Sequence, residues 1–463
     1  MNSVDAKVMS ELLAELDGLD IETQPQRVKR RSRDFYWYSP ILKRQLDAVT
    51  GDAVITPKSE AEIVRIIKAC FAHEVPLTVR GGGTGNYGQA MPLKGGVILD
   101  LFALNDVLAI GPGWVQAQAG ATLIKIDQAC QIDSGQELRL HPSTRATGTL
   151  GGYIAGGSSG IGSVTYGLLR DPGNIIRVRV VTMEAEPKIL TFEGRDIQKV
   201  NHAYGTNGII TELTMPLAPA YPWREAIVGF KQFMAAAEFA DHLAKSDGIL
   251  KKLVCVQAAP IGHDYLLPEL VPKEAHCVMV MVADVATADF LDLVEQAGGQ
   301  LLLNRDPGSA SKKDLPIYEY SWNHTTLHAL KHDRTITYLQ TLFPPPAHLD
   351  KVAAMVDHFG DEVPMHLEFV RFGGQIACFG LQIVRFSTEE RLQAIIDYHN
   401  QHGCPIFNPH DYTLEGGGMK HVDPTQLAFK READPKGLLN PGKMIGWDNP
   451  HYDESADRRF LYE

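Results

Sequence analysis

The sequence has no long apolar run and few cysteines, and both absences restrict what the protein can be. Within its 463 residues, no stretch approaches the ~20 consecutive apolar residues that cross a bilayer. No secretory leader pattern is visible at the N-terminus. The six cysteines are widely spaced and form no C-x-x-C pair. We therefore expect free, mostly buried thiols in a cytoplasmic protein without a membrane span.

Positive charge is also in short supply. The chain has 44 Lys and Arg against 56 Asp and Glu, a formal net charge of −12 at pH 7. This balance argues against nucleic acid as a partner. An anionic ligand would have to be held mainly by backbone N–H groups and a few local arginines. The length exceeds that of one compact core, so we expect two domains.

One glycine-rich loop stands out, RGGGTGNYGQA at 80–90. It lies between two short apolar runs, Leu77–Arg80 and 95–101, which both predict buried strands. Consecutive glycines allow backbone N–H groups to approach a ligand closely and reach dihedral angles closed to other residues. Such a nest of N–H groups suits a diphosphate. An ordinary strand connection is the alternative for the loop taken alone.

Two further glycine-rich stretches follow at 141–167 and 204–217, and DPKGLLNPGKM stands at 434–444. With these four blocks in order, the sequence resembles the FAD-linked oxidases and dehydrogenases that have a flavin domain of the vanillyl-alcohol-oxidase, or PCMH, type. The nearest branch contains glycolate oxidase subunits and D-lactate dehydrogenases. The resemblance covers 57–217 and the last part of the chain.

The resemblance and the order of elements predict an α+β fold, with a two-part PCMH-type FAD-binding domain and an α+β cap domain with an antiparallel sheet. The strands show no regular βαβ repetition, so a Rossmann domain and a nicotinamide cofactor are disfavoured. We expect a lead-in segment at 1–56, the FAD-binding domain at 57–218, the substrate or cap domain at 219–405, and a C-terminal segment at 406–463 that returns to the FAD-binding domain.

The resemblance implies FAD as the cofactor. Some relatives attach the flavin covalently through a histidine of the first glycine loop, where this chain has Thr84. No cysteine lies between Cys130 and Cys255 to make a second link. We therefore expect non-covalent FAD. The residues implied to bind it are Arg80, Gly81, Gly82, Gly83, Thr84 and Gly85 near the diphosphate, Thr147, Gly148, Gly151, Ser158, Gly160, Gly162 and Ile210 along the flavin, and Asn440 and Lys443 at its border.

The hydroxy-acid branch has features that this chain keeps only in part. Its GEHGIG motif corresponds to LEGGGMK at 414–420, where Glu415 is kept and Gly416 replaces the histidine. That branch also carries two histidines on a cap strand, which can hold a divalent metal, whereas this chain offers only His366. A set of metal ligands is therefore not assembled by matching residues, and we expect no metal.

Candidate proton acceptors lie in the second half of the chain. On a strand, His366 and Glu368 share a face and Arg371 points to the other. His324, His328 and His332 would share one face of a helix, where a surface stripe, a metal site and a substrate-side role for His324 all stay open. The candidate catalytic residues are His366, His410, Glu415, Arg371 and His324.

The resemblance thus implies an FAD-dependent oxidoreductase. It would oxidise a small alcohol, hydroxy acid or related C–H donor by hydride transfer to flavin N5, with O2 or another electron acceptor. A flavin-dependent reductase that uses NADPH and a flavin-binding protein without its own turnover are the alternatives. A small-molecule substrate is the expected partner, and a homodimer is left open.

Overall fold

The computed structural model describes residues 4–311, 314–417, 424–449 and 451. The described helices are α1 (Ala6–Glu15), α2 (Pro25–Arg31), α3 (Pro40–Leu46), α4 (Glu60–Ala72), α5 (Leu123–Ser134), α6 (Leu150–Gly156), α7 (Ser163–Tyr166), α8 (Phe233–Lys245), α9 (Thr287–Gln296), α10 (Asn323–His332), α11 (His348–Phe359), α12 (Glu389–Gln401), α13 (Leu414–Gly417), α14 (Pro424–Ala433) and α15 (Ile445–Asp448). None of them is both long enough and apolar enough to cross a membrane.

The described strands form three larger sheets and one small pair. They are β1 (Ile21–Glu22), β2 (Ala53–Ile55), β3 (Leu77–Arg80), β4 (Val97–Asp100), β5 (Val107–Gly111), β6 (Trp114–Gln118), β7 (Gln136–Leu138), β8 (Arg177–Val181), β9 (Ile189–Glu193), β10 (Ile209–Pro219), β11 (Trp223–Phe230), β12 (Lys251–Gln257), β13 (His276–Ala283), β14 (Gln300–Arg305), β15 (Ile336–Tyr338), β16 (Thr341–Phe343), β17 (His366–Phe372), β18 (Gln375–Gly380) and β19 (Ile383–Arg385).

The first sheet presents the glycine-rich loop at the end of one of its strands. Its order is β1-β2-β4-β3, and β2, β4 and β3 run parallel. Helix α4 connects β2 to β3 and begins where the sequence predicts, because Ser59 Oγ accepts the Glu62 N–H at 3.2 Å. The loop that starts at Gly81 therefore leaves the carboxyl end of β3.

The second sheet is antiparallel, in the order β5-β6-β10-β8-β9, with β7 also paired to β10. It shares one apolar core with the first sheet, to which Leu77, Val115 and Leu213 contribute. The C-terminal segment joins this unit. The Leu77 N–H donates to Leu438 O at 2.8 Å, and the Asn440 N–H donates to Leu77 O at 2.9 Å. A late part of the chain therefore lies beside β3, next to the glycine-rich loop.

The third sheet has seven antiparallel strands in the order β14-β11-β13-β12-β17-β18-β16. A second core, to which Val254, Phe290 and Leu367 contribute, packs helices such as α8 and α9 on this sheet. Strand β10 ends at Pro219 and β11 begins at Trp223, so the first strand of this sheet follows directly on the second sheet. The predicted α+β class, with an antiparallel cap sheet, is confirmed.

A buried ion pair joins the second and third sheets. Lys252 Nζ on β12 lies 2.7 Å from Glu137 Oε1 on β7, and both side chains are almost fully buried. Trp223 Nε1 donates to the same carboxylate at 3.0 Å. Burial raises the pKa of Glu137, and Lys252 opposes this shift. The two charges compensate each other away from water, so the loss of one leaves the other unpaired.

We expect Glu137→Ala to lower the free energy of unfolding by about 3–5 kcal/mol, because Lys252 would remain as an uncompensated buried charge. Urea denaturation of the FAD-loaded protein measures this change. The matched control is Glu193→Ala, which removes an exposed partner of Arg177 and should cost less than about 1 kcal/mol. Equal losses in the two variants would contradict a structural role for the buried pair.

Candidate functional site

A continuous cleft begins at the glycine-rich loop. Its first part, the glycine chamber, contains about 840 Å³ of space free of protein atoms, part of which is open to solvent. The walls come from the first glycine loop, from α6 and from the segment before β10. The lining residues are Val79, Gly81, Gly82, Gly83, Thr84, Gly85, Gln89, Ala90, Leu101, Ala119, Thr149, Gly151, Gly152, Ala155, Gly156, Val200, Ala203, Tyr204, Gly205, Asn207, Gly208 and Ile210.

The second part, the cap chamber, adjoins the glycine chamber at Gln89 and Gly156 and reaches the cap domain. Its lining combines aromatic rings with uncharged polar groups. Besides glycines, it contains Phe35, Tyr38, Thr84, Asn86, Tyr87, Gln89, Pro142, Ser143, Thr144, Tyr153, Ser158, Ser159, His202, Tyr204, Trp322, Asn323, His324, Leu327, Gln340, Phe379, Leu381 and Phe407.

The first glycine loop offers a set of unused backbone donors. None of the N–H groups of residues 82–86 donates a hydrogen bond to another residue within the described ranges. Gly83 has a φ of +63°, a left-handed conformation that side chains disfavour. Successive N–H groups in such a loop form a concave site for anionic oxygen atoms. The loop therefore fits the diphosphate of a dinucleotide.

The glycines of this loop also let it pack tightly on the second glycine-rich stretch. A Cβ built on Gly81 would lie within 3.0 Å of Thr149 Oγ1, and one on Gly82 would lie equally close to Thr147 O. Both neighbours belong to the segment that leads into α6. The first two glycines are thus required by contacts within the protein as well as by any ligand.

Backbone strain is concentrated at the cleft. Five non-glycine residues among those described have positive φ, and four of them lie at or next to the cleft: His202, Tyr204, Trp322 and Asn440. Asn440 Nδ2 donates to Gln89 O at 2.8 Å and to Tyr204 O at 2.7 Å, so it fixes two lining residues from behind. Such conformations cost about 1–3 kcal/mol each and occur preferentially at functional sites.

Two polar atoms on the chamber walls are buried without a partner among the described residues. They are Asn86 Nδ2 and the Tyr204 hydroxyl. A buried polar group without a hydrogen bond is costly, so both atoms are suited to pair with polar atoms of a bound ligand. The site thus offers unused N–H groups, closely packed glycines and these two side chains. Together they fit a cofactor that is both large and polar.

The structure places most of the predicted cofactor residues on the walls. Gly81, Gly82, Gly83, Thr84, Gly85, Gly151 and Ile210 line the glycine chamber, and Gly148 and Ser158 line the cap chamber. Thr147, Gly160 and Gly162 lie behind the lining. A Cβ on Gly160 or Gly162 would meet the carbonyl of His141 or Arg139, so these two glycines are needed for backbone packing. Their direct contact with a cofactor stays a prediction.

Three more of the predicted cofactor residues lie behind the lining of the cleft and contact it there: Arg80, Asn440 and Lys443. Arg80 Nη1 donates to Arg33 O at 2.6 Å, and its guanidinium lies beneath Gly83. Lys443 is fully buried and donates to Gly88 O. Burial lowers the pKa of Lys443 to about 7, and the nearby charge of Asp34 opposes this shift. All three residues shape the loop that borders the chambers.

Four of the five candidate catalytic residues do not line either chamber. Arg371 Nη2 lies 2.7 Å from Asp247 Oδ1, at a separate surface cavity. The His410 ring accepts from the Ser39 hydroxyl at 2.8 Å and donates to Tyr338 O at 3.1 Å. Burial lowers the pKa of His410 to about 4. Both side chains thus have partners away from the chambers.

Glu415 and His366 also have partners away from the chambers, although His366 Nδ1 is buried without a hydrogen-bond partner among the described residues. The Glu415 carboxylate accepts the N–H groups of Ile445 at 2.9 Å and Gly446 at 3.0 Å. His366 is fully buried, and its Nε2–H donates to Glu368 at 2.9 Å. The face shared by His366 and Glu368 is therefore buried within the cap. Neither residue reaches the chamber, so neither can accept a proton directly from a molecule bound there.

The glycine at position 416 has a local explanation. A Cβ there would lie within 3.0 Å of Asp411 Oδ2, and Asp411 is itself held by Thr413, whose N–H it accepts at 2.8 Å. No side chain fits in this arrangement, so the space beside Gly416 belongs to Asp411. Residues 418–420 of the LEGGGMK motif lie outside the described residues.

His324 is the candidate that does line the cap chamber. It lies in the first turn of α10, and its Nδ1 is 2.7 Å from Glu319 Oε2. His328, one turn later, is half-buried, and Glu319 O lies 3.2 Å from its Nε2. Burial lowers the pKa of His328 to about 4. The segment is helical, and His328 packs on Tyr320, so a surface stripe, one of the alternatives left open, does not describe this histidine.

The sequence analysis missed the aromatic and amide residues of the cap chamber. Phe35 belongs to the lead-in segment, Tyr87 to the first loop, Tyr204 to the third glycine-rich stretch, and Trp322 and Gln340 to the cap. Tyr87 and Tyr204 lie in glycine-rich stretches, and Trp322 directly precedes the helix that carries His324 and His328. The others come together through folding and carry no local pattern.

We expect acid or heat to release intact FAD from the purified protein. Thr84 lines both chambers at the position where some relatives carry a flavin-linked histidine, and a threonine hydroxyl does not form that bond. Neither histidine nor cysteine lines the described glycine chamber. Precipitation with acid followed by absorbance of the supernatant measures the released flavin. Yellow colour retained by the precipitated chain would contradict non-covalent binding.

Comparison with known proteins gives three kinds of match. A family model described as an FAD binding domain matches residues 51–191. The glycolate oxidase subunit GlcD of Bacillus subtilis (strain 168) is 29% identical over 197 residues, which cover 40% of this chain and 41% of that protein. The chain thus spans less than half the length of that relative. The D-lactate dehydrogenase of Anaerostipes hadrus is 24% identical over 451 residues, covering 85% of this chain and 89% of that protein.

Two further matches cover most of the chain. An uncharacterized FAD-linked oxidoreductase of Mycobacterium tuberculosis (strain ATCC 25618 / H37Rv) is 24% identical over 435 residues, covering 84% of this chain and 90% of that protein. The solved structure of an alkyldihydroxyacetonephosphate synthase superposes with a TM-score of 0.70 at 17% identity, covering 94% of this chain and 85% of that one. At this identity the structural match shows the fold alone.

Proposed function

We propose that this protein, which carries a PCMH-type FAD-binding domain and has FAD-linked oxidases and dehydrogenases as homologues, oxidises a small alcohol, hydroxy acid or related donor with a C–H bond next to oxygen. The observation that carries the proposal is the position of His324, in contact with Glu319, on the wall of the cap chamber, which shares Gln89 and Gly156 with the glycine chamber. Cofactor and donor would thus occupy adjoining spaces.

FAD supplies an acceptor for the hydride of the donor when it is bound. The free N–H groups of residues 82–86 would hold its diphosphate, as the unused donors of the glycine loop indicate. Tyr204 lies on both chambers, so its unpartnered hydroxyl would be placed where the cofactor and the donor meet. The cap chamber then holds the donor.

His324 is the proposed proton acceptor. His324 Nδ1 lies 2.7 Å from Glu319 Oε2. A proton on Nδ1, next to this carboxylate, would leave Nε2 of neutral His324 as the basic atom. The His324 side chain is 13% exposed, which keeps bulk water largely away from it. A histidine oriented in this way can remove the hydroxyl proton as the hydride leaves the neighbouring carbon.

The remaining walls indicate how a donor would be oriented. Asn323 and Gln340 face the chamber, and Gln340 Nε2 donates to Asn323 Oδ1 at 3.0 Å. These amides can bind hydroxyl groups, while Trp322, Phe379 and Phe407 offer apolar surface. This combination suits a donor that has a polar end and an apolar end.

An anaerobic screen tests the proposal. The FAD-loaded protein is mixed with alcohols and 2-hydroxy acids, and loss of the visible flavin absorbance is followed. We expect at least one donor of these classes to reduce the flavin, and reoxidation after air is admitted would identify O2 as an acceptor. Bleaching by NADPH in the absence of any donor, with no reduction by the donors themselves, would contradict the proposal and favour a reductase.

A further inference from the structure

Trp322 has an unusual backbone conformation on the wall of the cap chamber. Its φ is 50° and its ψ is −141°, in a region that is close to glycine-only. The residue precedes α10, and its side chain is largely buried while still lining the chamber. A strained residue of this size persists only where its surroundings hold it in place. The contacts of Trp322 show what does so.

The Trp322 N–H donates to Glu368 Oε1 at 2.6 Å. Glu368 lies on β17 and is 1% exposed. The same oxygen accepts His366 Nε2–H at 2.9 Å, and Cys255 Sγ lies 3.4 Å from that nitrogen. A buried carboxylate that receives two hydrogen bonds is fixed in direction. A hydrogen bond therefore holds the backbone of Trp322 against an inner strand of the cap sheet.

A second set of hydrogen bonds holds the same segment. Gln257 on β12 donates from Nε2 to Tyr320 O at 2.8 Å and to Thr325 Oγ1 at 3.2 Å. Gln257 lies directly opposite His366 in the register of β12 and β17. Gln257 thus holds residues on both sides of the turn, and Glu368 holds Trp322 itself, so the sheet determines where the turn places its indole.

We propose that Glu368, oriented by His366, is a positioning residue that fixes Trp322 as a wall of the donor site and thereby sets which donors fit. The inference rests on the proposed function, because it assigns the cap chamber to the donor. Glu368 does not touch the chamber, and its effect on the donor passes entirely through Trp322. A displaced indole changes the shape of the chamber without changing the glycine chamber.

The same three side chains also suit a metal ion in their chemistry. The ligand atoms of Cys255, His366 and Glu368 lie within 4.8 Å of one another, and thiolate, imidazole and carboxylate are zinc ligands. Oε1 of Glu368 already accepts two hydrogen bonds, from Trp322 and His366, without an ion. Metal content is therefore measured as one arm of the experiment.

The experiment compares Glu368→Ala and Glu368→Gln with the wild-type holoenzyme. Donor binding is read from the perturbation of the visible flavin spectrum and from the concentration dependence of flavin reduction. Glu368→Ala should weaken donor binding about 10–100-fold with unchanged FAD content, because small displacements at a binding site have effects of this size. Glu368→Gln should restore most of the binding, since its amide oxygen can still accept the Trp322 N–H.

The matched control is Glu225→Ala. Glu225 also accepts a backbone N–H in the cap, that of Ile317 at 3.0 Å, but neither residue lines a chamber. It should leave donor binding unchanged. In a Trp322→Ala background, Glu368→Ala should weaken donor binding less than about twofold further, because coupled residues are non-additive. Additive effects, or losses in Glu368→Gln and Glu225→Ala as large as the loss in Glu368→Ala, would overturn the proposal.

Amide hydrogen exchange at Trp322, read by mass spectrometry with fragmentation, tests the positioning step without any donor. The Trp322 amide should exchange slowly in the wild type and in Glu368→Gln, and much faster in Glu368→Ala. This readout stays decisive if no donor reduces the flavin, an outcome that would count against the proposed function alone. Equal exchange in all variants would overturn the inference. One zinc ion per chain that is lost in Cys255→Ser would also overturn it, since the metal would then hold the segment.

Discussion

Gly83→Val should yield a folded protein that purifies without FAD. Gly83 adopts a φ of +63°, and a Cβ there would lie within 3.0 Å of the Arg80 guanidinium. Arg80 cannot easily move, because it is buried and donates to Arg33 O. The loop must therefore change shape, and its N–H groups lose their common direction.

The expected size of this effect follows from the hydrogen bonds that would be lost. Each bond to a charged group is worth about 1.5–3 kcal/mol. Losing two of them would weaken FAD binding by roughly 10²–10⁴-fold. The ratio of flavin to protein absorbance after gel filtration measures retention, and titration of the apoprotein with FAD measures affinity.

The control for this variant is Gly113→Val. Gly113 also has positive φ, +81°, in the turn between β5 and β6, but no atom lies within 4 Å of its Cβ position. It should lose about 1–3 kcal/mol of stability from strain alone and keep its FAD. If Gly113→Val lost the flavin equally, or if Gly83→Val kept it in stoichiometric amount, the assignment of the loop to the diphosphate would be refuted.

The second large effect concerns His324. His324→Ala should slow flavin reduction by a donor about 10²–10⁴-fold, the usual contribution of a general base, while the FAD content stays normal. The glycine chamber does not include His324, so cofactor binding should be independent of it. Anaerobic stopped-flow measurement of flavin absorbance at saturating donor gives the limiting rate.

His328→Ala provides the matched comparison, because it removes the same kind of side chain one turn later on α10. His328 contacts Glu319 O but does not line a chamber, so the limiting rate should be nearly unchanged. Glu319→Gln should have an intermediate effect, since it removes the negative charge that lies 2.7 Å from His324 Nδ1. A wild-type rate in His324→Ala would remove this residue from the chemistry.

Local sequence patterns were sufficient for most of the fold. Ser59 and Glu62 mark the start of α4, and the structure shows the same cap. The glycine-rich loop was located because close packing and positive φ both require glycine, as at Gly82 and Gly83. The alternating apolar runs at 366–380 predict the hairpin that β17 and β18 form. For the helix start and the hairpin the determining interactions lie within a few residues of one another, whereas the glycines of the loop are conspicuous by their residue type alone.

The donor side of the site depends on contacts between distant parts of the chain. The alternation of side chains along a strand correctly places His366 and Glu368 on one face. Their partner Trp322, however, lies 46 residues away from Glu368 in the sequence. His324 and His328 look alike in the sequence, and only the position of Glu319 and of the chamber separates them. Charge and hydrogen-bonding capacity make a residue a candidate, but tertiary packing decides whether it is accessible.

The position of Asn440 late in the chain determines when FAD can bind during synthesis of the protein. Its side chain holds Gln89 and Tyr204, and its backbone extends the first sheet beside Leu77. The first glycine loop is synthesised some 350 residues earlier, yet its supports arrive only when this late segment has left the ribosome. Early folding of the N-terminal part is thus expected to leave the loop unsupported during translation. Capture of FAD then becomes a step that follows synthesis of nearly the whole chain, so a nascent chain arrested before Asn440 should remain colourless.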